Sequence, residues 1–139
     1  MPGHGKGAVE RGRRMADRIL TYRDLKVYRA AFELQQRIFE LTKTFPKHEA
    51  YSLTSQVRDA SRSVGANIAE AWQKRRYPAH FVSKLTDADA ELAETHHWLL
   101  TAYKCDYAEA QTYNALTGAA NEVGAMLGSL IKEPEKWCH

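Results

Sequence analysis

Cysteine is nearly absent. Cys105 and Cys138 are the only two in 139 residues, too few for the disulfide framework of a small secreted domain, so free thiols in a reducing cytoplasm are expected. Four prolines and eight glycines exclude collagen-like and linker-like chains. No apolar run approaches the roughly 18–20 residues of a membrane span. The N-terminus is basic but lacks the apolar stretch of a secretory signal, so export is not expected. Nor is there a large excess of one charge sign, the net charge being +3. With 44% hydrophobic and 27% charged residues, the composition is that of one globular domain. A chain of this length buries roughly 70% of its unfolded surface without needing metals or cross-links.

The positive charge is local. Lys6, Arg11, Arg13, Arg14 and Arg18 outnumber Glu10 and Asp17 by three within residues 1–20, and the remainder is neutral in sum. Residues 1–20 therefore read as a flexible basic arm, 21–133 as the folded domain and 134–139 as a C-terminal tail. Between Thr54 and Thr86 stand Arg58, Arg62, Lys74, Arg75, Arg76 and Lys84, opposed only by Asp59 and Glu70. The acidic residues Asp87, Asp89, Glu91 and Glu94 follow directly. A polarised body of this kind suits head-to-tail self-association or a local anionic partner. A plain solvated face is the alternative.

From Asp24 onward the apolar residues repeat at helical period. Val27, Ala31, Leu34, Ile38, Leu41 and Phe45 step by three or four, with Tyr28, Phe32 and Phe39 on the adjoining stripe. Thr21 or Asp24 can cap the start and Pro46 breaks the end. A second helix is predicted from Ser52 to about Lys74, its face built from Leu53, Val57, Ala60, Val64, Ile68 and Trp72. Asn67 lies on or beside that seam, where a polar residue can fix register and partner choice. Pro78 suits the first position of a third helix carrying Phe81, Leu85, Ala88, Leu92, Thr95, Leu99 and Ala102. A fourth is predicted to open at Asp106, with Glu109 completing a capping-box-like pair, and to carry Tyr113, Leu116, Ala120, Val123, Leu127 and Leu130 before Pro134. Short connections between long helices force antiparallel neighbours. The expected fold is all-α, an antiparallel up-down-up-down four-helix bundle.

Catalytic constellations are weak. Glu94-Thr-His-His97 contains one Glu-x-x-His, half of a di-iron carboxylate signature, but no second copy exists and the apolar stripe bypasses Glu94. His96, His97, Cys105, Cys138 and His139 match no zinc-ligand spacing, and two of them sit at an end expected to fray. No strand-to-helix glycine loop is present to cradle a phosphate. No catalytic residue, metal or cofactor is assigned.

Two features remain. Gly124 and Gly128 lie four apart on one side of the fourth helix, implying close backbone approach, either within the chain or between copies. Arg58 and Arg62 are one turn apart, and Arg76, 18 residues after Arg58, falls on the same stripe if the helix stays regular. Lys74 and Arg75 extend that stripe towards His80 and Lys84, with Tyr77 placed to stack on a base. These cations form a candidate nucleic-acid-binding edge at helices two and three. The competing reading pairs them with the acidic run of a neighbouring subunit.

Asp24-Leu-Lys-Val-Tyr28, Leu53-Thr-Ser-Gln-Val-Arg58, Asn67-Ile-Ala-Glu70 and the stretch from Glu94 to Trp98-Leu99 occur in an order and spacing that carry a resemblance over about residues 22–132. The chain resembles the bacterial bundle proteins encoded in intervening sequences of large-subunit ribosomal RNA genes, relatives of the accessory variability determinant of diversity-generating retroelements. The resemblance implies an antiparallel four-helix bundle, a homo-oligomer (typically a five-fold ring) and no catalysis. It further implies contacts to RNA or single-stranded nucleic acid and to a reverse transcriptase through basic surfaces, with Arg58, Lys74, Arg75 and Arg76 at the matching positions. Gly65 and Ala71 stand where the family often has Pro and Gly, which implies a straighter second helix here.

Overall fold

The computed structural model describes residues 19–138. Residues 1–18, with most of the expected basic arm, and His139, weighed above as a zinc ligand, lie outside them. Four long helices follow in order: α1 (Lys26–Thr42), α2 (Leu53–Gln73), α3 (Pro78–Lys104) and α4 (Ala110–Lys132). Single 3-10 turns at Tyr22–Asp24, Lys47–Glu49 and Pro134–Lys136 complete the architecture. Among the described residues there is no strand, and no helix is long and apolar enough to cross a membrane.

Pairs of contacts fix the helix directions. Arg58 of α2 meets Thr42 near the end of α1, whereas Gly65 further along α2 faces Tyr28 and Gln35 earlier in α1. Tyr103 of α3 stacks on Tyr113 of α4, while the later Gly124 faces the earlier Leu92. Residues 25–27 line a crevice with 126–130, and residues 37–41 line another with 111–116. In each pair the numbers run in opposite senses. Each helix packs on the next and α4 closes back onto α1, giving the antiparallel arrangement that short connections require.

The predicted stripes are the core. Leu34, Ile38, Val57, Val64, Ile68, Phe81, Leu85, Leu99, Val123 and Leu127 are almost completely shielded from water, each large one contributing on the order of 1.5–3 kcal/mol through burial. The small residues Ala60, Ser61, Gly65 and Ala71 on α2 allow close approach, and α2 with α3 forms the most extensive helix pair. Helix α2 runs without a break across Gly65 and Ala71. Thr42, Ser61 and Thr95 are buried but donate to carbonyls three or four residues earlier in their own helices, as buried hydroxyls must find partners.

Helix starts differ from expectation in two places. Thr21 and Asp24 form a reciprocal capping box, but on the Tyr22–Asp24 turn rather than on α1 itself. Helix α4 begins at Ala110, not at Asp106. Asp106 adopts a left-handed φ of 63°, and it terminates α3. Its N–H donates to the Tyr103 carbonyl at 3.0 Å and the Tyr107 N–H to the Ala102 carbonyl at 2.9 Å, the two bonds of a Schellman motif.

The C-terminus also departs from expectation. Instead of fraying, the Pro134–Lys136 turn packs on α3, and Trp137 and Cys138 lie partly buried against the core.

Candidate functional site

The connection from α2 to α3 is a four-residue corner built by its own backbone. The Lys74 N–H donates to the Glu70 and Ala71 carbonyls, the Arg75 N–H to Trp72, and the Tyr77 N–H back to Lys74 at 3.0 Å. Pro78 then occupies the first turn of α3, where its missing N–H costs nothing. The guanidinium carbon of Arg75 sits 4.0 Å from the centroid of the buried Trp72 ring, and Arg75 Nη1 donates to the Trp72 carbonyl at 2.8 Å. Lys74, Arg76 and Tyr77 project from this corner into solvent. Tyr77 is 57% exposed, its ring 5.5 Å from that of His80. The Cys138 thiol is also close to this corner, pushed up by burial and drawn down by the charge of Arg75.

The remaining predicted cations are arranged differently. Because α2 ends at Gln73, Arg76 does not continue a helical stripe from Arg58 and Arg62; that part of the sequence reading is corrected. Arg58 is half-buried, its Nε donating to Thr42 Oγ1 at 2.8 Å and its guanidinium 4.7 Å from the Phe39 centroid. Arg62 and Lys43 approach the same ring at 5.5 Å and 4.8 Å. Phe39 thus gathers three cations towards the end of α1, while Lys74, Arg75 and Arg76 occupy the opposite end of α2. Lys84 lies between Glu70 at 3.3 Å and Asp87 at 3.6 Å, so intrachain carboxylates already answer its charge.

The acidic run occupies the outer side of α3. Asp87, Asp89 and Glu94 are exposed and Glu91 is half-buried; burial, and then the charges of Glu94 and Asp87, push the Glu91 carboxyl up. Glu94 accepts from the Trp98 indole N–H at 3.3 Å, and His97 lies edge-on to that indole at 4.6 Å. Among the described residues no three His, Cys, Asp or Glu side chains come together to hold a metal ion.

Asn67 sits half-buried beside the seam and donates to the Ser63 carbonyl of its own helix at 2.9 Å, so its amide is spent locally rather than across a helix pair. The two glycines of α4 separate. A Cβ at Gly124 would meet Leu92 Cδ2 at 3.4 Å, whereas one at Gly128 would meet nothing within 4 Å. The contact at Gly124 would be an ordinary van der Waals one, so intrachain packing requires a glycine at neither position.

Sequence reasoning missed a groove of about 660 Å³ along α1, lined by Arg23, Tyr28, Arg29, Phe32, Glu33 and Gln36. The signal was present in Tyr28 and Phe32 at helical spacing on the stripe beside the core, but a second apolar stripe reads as a wide buried face. Burial and the neighbouring Tyr22 push the Tyr28 phenol up, with Arg23 acting the other way.

Fold and site together define a helical-bundle protein with segregated charge and a basic, aromatic corner. The family profile described as 23S rRNA-intervening sequence protein matches residues 23–129, and the chain belongs to that family. Among solved structures, the chain is similar to a protein of unknown function from the S23 ribosomal protein family of Bacteroides thetaiotaomicron, with 29% identity and a TM-score of 0.70 over 76% of this chain and 98% of that one. No curated protein matches.

Proposed function

We propose that this is a non-enzymatic, self-associating bundle protein of the cytoplasm that binds RNA or single-stranded nucleic acid through its α2–α3 edge. The observation that carries the reading is the corner itself. Lys74 and Arg76 are exposed there, with no ion pair among the described residues, beside the exposed Tyr77. Spaced, unpaired cations are what phosphate contacts require, and an exposed ring beside them offers a face to a base. Arg58 and Arg62 form a separate positive surface over Phe39 at the other end of α2, and assembly into a ring of five would repeat each corner. Two free thiols fit a reducing compartment.

The test is a fluorescence-anisotropy titration of a labelled structured RNA and of a single-stranded oligonucleotide over a range of salt, with oligomeric mass measured in each buffer. Binding should weaken linearly in log–log form with salt. Lys74→Ala/Arg76→Ala should flatten that slope by roughly 0.7–0.9 per lost contact. An unchanged slope in the double variant removes these residues from the interface.

A second reading is favoured by the acidic side of α3, where Asp89, Glu91 and Glu94 have no ion-pair partner among the described residues. On this reading the basic and acidic surfaces pair between copies, or with a protein partner such as a reverse transcriptase. High salt then disperses the assembly and nucleic acid does not bind.

A further inference from the structure

The groove along α1 has the chemistry of a base-stacking site. Tyr22 packs edge-on against Tyr28 with centroids 4.8 Å apart, and Tyr28 stacks on Phe32 at 6.2 Å with planes only 27° apart. Tyr28 is held from behind, since its ring lies over Gly65 of α2, where even an added Cβ would stand 3.5 Å from Tyr28 Cε1. The ladder therefore has a fixed inner end and an open outer end at Phe32, which is 45% exposed. A lone exposed Phe needs no explanation. A Phe backed by two ordered rings, in a groove whose rim carries two arginines, has a definite complement.

We propose that this groove binds unpaired bases of single-stranded RNA, one base stacking on the outer face of Phe32 while Arg23 and Arg29 take the flanking phosphates. The inference rests on the nucleic-acid reading above and extends it to a surface outside the predicted edge. Charge and shape favour this occupant over a purely apolar one. The groove floor is aromatic and its rim is cationic, the combination that single-strand binders use because every base has a π-face and every linkage a charge. Glu33 is the one acid of the lining. It would repel a phosphate placed on it, but its carboxylate can accept from a ring or amino N–H on the edge of a stacked base, and the Gln36 amide can donate to a carbonyl beside it.

Position supports continuity with the corner. Helix α1 starts at the end of the bundle where α2 finishes, and the Tyr22–Asp24 turn packs on α2. Arg23 and Arg29 thus lie towards the same bundle end as Lys74, Arg75 and Arg76. A strand leaving the corner would meet the groove without crossing the acidic side of α3.

The test compares the full chain with Phe32→Ala, Phe32→Tyr and Lys74→Ala/Arg76→Ala, all checked for helicity and oligomeric mass. Two labelled probes are used: an oligouridylate of about 12 nucleotides and an abasic strand of equal length. Phe32→Ala should weaken oligouridylate binding about tenfold, as loss of one stacked base predicts, leave the salt slope unchanged and leave abasic binding unaffected. Phe32→Tyr should restore wild-type affinity. The corner variant should instead flatten the slope for both probes.

If Phe32→Ala binds oligouridylate as the wild type does while the corner variant still loses slope, the stacking site falls and the corner stands. If Phe32→Ala changes the oligomeric mass, the groove is a contact between copies and the proposal is overturned. If the wild type binds neither probe, the proposal is overturned at this groove. Structured RNA, tested separately, then decides the corner.

Discussion

Arg75 is bound twice to Trp72: its guanidinium lies 4.0 Å from the centroid of the buried indole, and its Nη1 donates to the carbonyl of the same residue at 2.8 Å. The charge is therefore part of how α2 ends. The sequence placed Arg75 equally with Lys74 and Arg76 in one basic cluster, whereas the structure divides their tasks. Lys74 and Arg76 are solvent-facing and Arg75 closes the corner.

Arg75→Ala should destabilise the fold by about 1–2 kcal/mol, from one hydrogen bond and one partly desolvated cation–π contact. Arg75→Lys should recover only part of this, because an ammonium lacks the planar fork that stacks and bonds at once. Lys74→Ala and Arg76→Ala should each stay within about 0.5 kcal/mol of wild type, as exposed substitutions do. Urea denaturation of the three alanine variants measures the difference. Equal stabilities for all three would refute the division of tasks.

The glycines of α4 give a test of self-association that needs no ligand. At Gly128, where an added Cβ meets nothing within 4 Å, alanine should stabilise the helix by about 0.5–1 kcal/mol through propensity alone. At Gly124, with Leu92 Cδ2 at 3.4 Å, the same change adds an ordinary van der Waals contact with α3 and should give a similar gain through propensity. If Gly128 lies between copies, its alanine variant should instead reduce the oligomeric mass seen by light scattering. The two outcomes have opposite signs in thermal stability at assembly concentrations.

How far the fold could be read beforehand depended on what each residue type can signal. Val57, Ile68, Leu85 and Leu127 are apolar at helical spacing, and that pattern has one cheap solution, so all four are in the core. Pro78 fixed the start of α3 because proline fits the first turn of a helix and not its middle. Asp106 misled because Asp before an amphipathic stretch ordinarily signals an N-cap. The left-handed conformation that ends α3 is set by backbone bonds that a side-chain pattern does not display. The site was legible in composition and not in geometry. Which arginine faces Phe39, and which acid answers Lys84, depends on packing across helices far apart in sequence.

Asp106→Gly should accordingly stabilise the protein. Its φ of 63° costs an L-residue roughly 1–2 kcal/mol, less for Asp than for most. Glycine removes that cost but adds unfolded-state entropy. The expected net gain is about 0.5 kcal/mol, whereas Asp106→Val should lose about 1 kcal/mol or more because β-branching resists this region. Chemical denaturation of the pair decides it. A destabilised glycine variant would mean that the Asp106 carboxylate, rather than its backbone, matters at this turn.

The pH dependence should contain opposed contributions. Asp24 and Glu49 are held below their ordinary values, Asp24 mainly by the Thr21 and Leu20 N–H groups and Glu49 by the Ser52 and Tyr107 hydroxyls. Their stabilisation is present at neutral pH and is lost as pH falls through their depressed folded values, below the ordinary carboxylate range. Glu91 behaves in the other sense. Burial, then Glu94 and Asp87, raise it above its ordinary 4.5, so its ionised form opposes folding at neutral pH and that opposition disappears once pH falls below the unfolded value. Glu91→Gln should therefore raise thermal stability at pH 7 by less than about 1 kcal/mol, because water screens a half-exposed group. The gain should vanish below about pH 4, where the wild-type residue is itself neutral, even as both proteins lose the contributions of Asp24 and Glu49. Melting curves from pH 3 to 8 test this. An advantage of Glu91→Gln that persists at low pH would assign the effect to side-chain packing and not to charge.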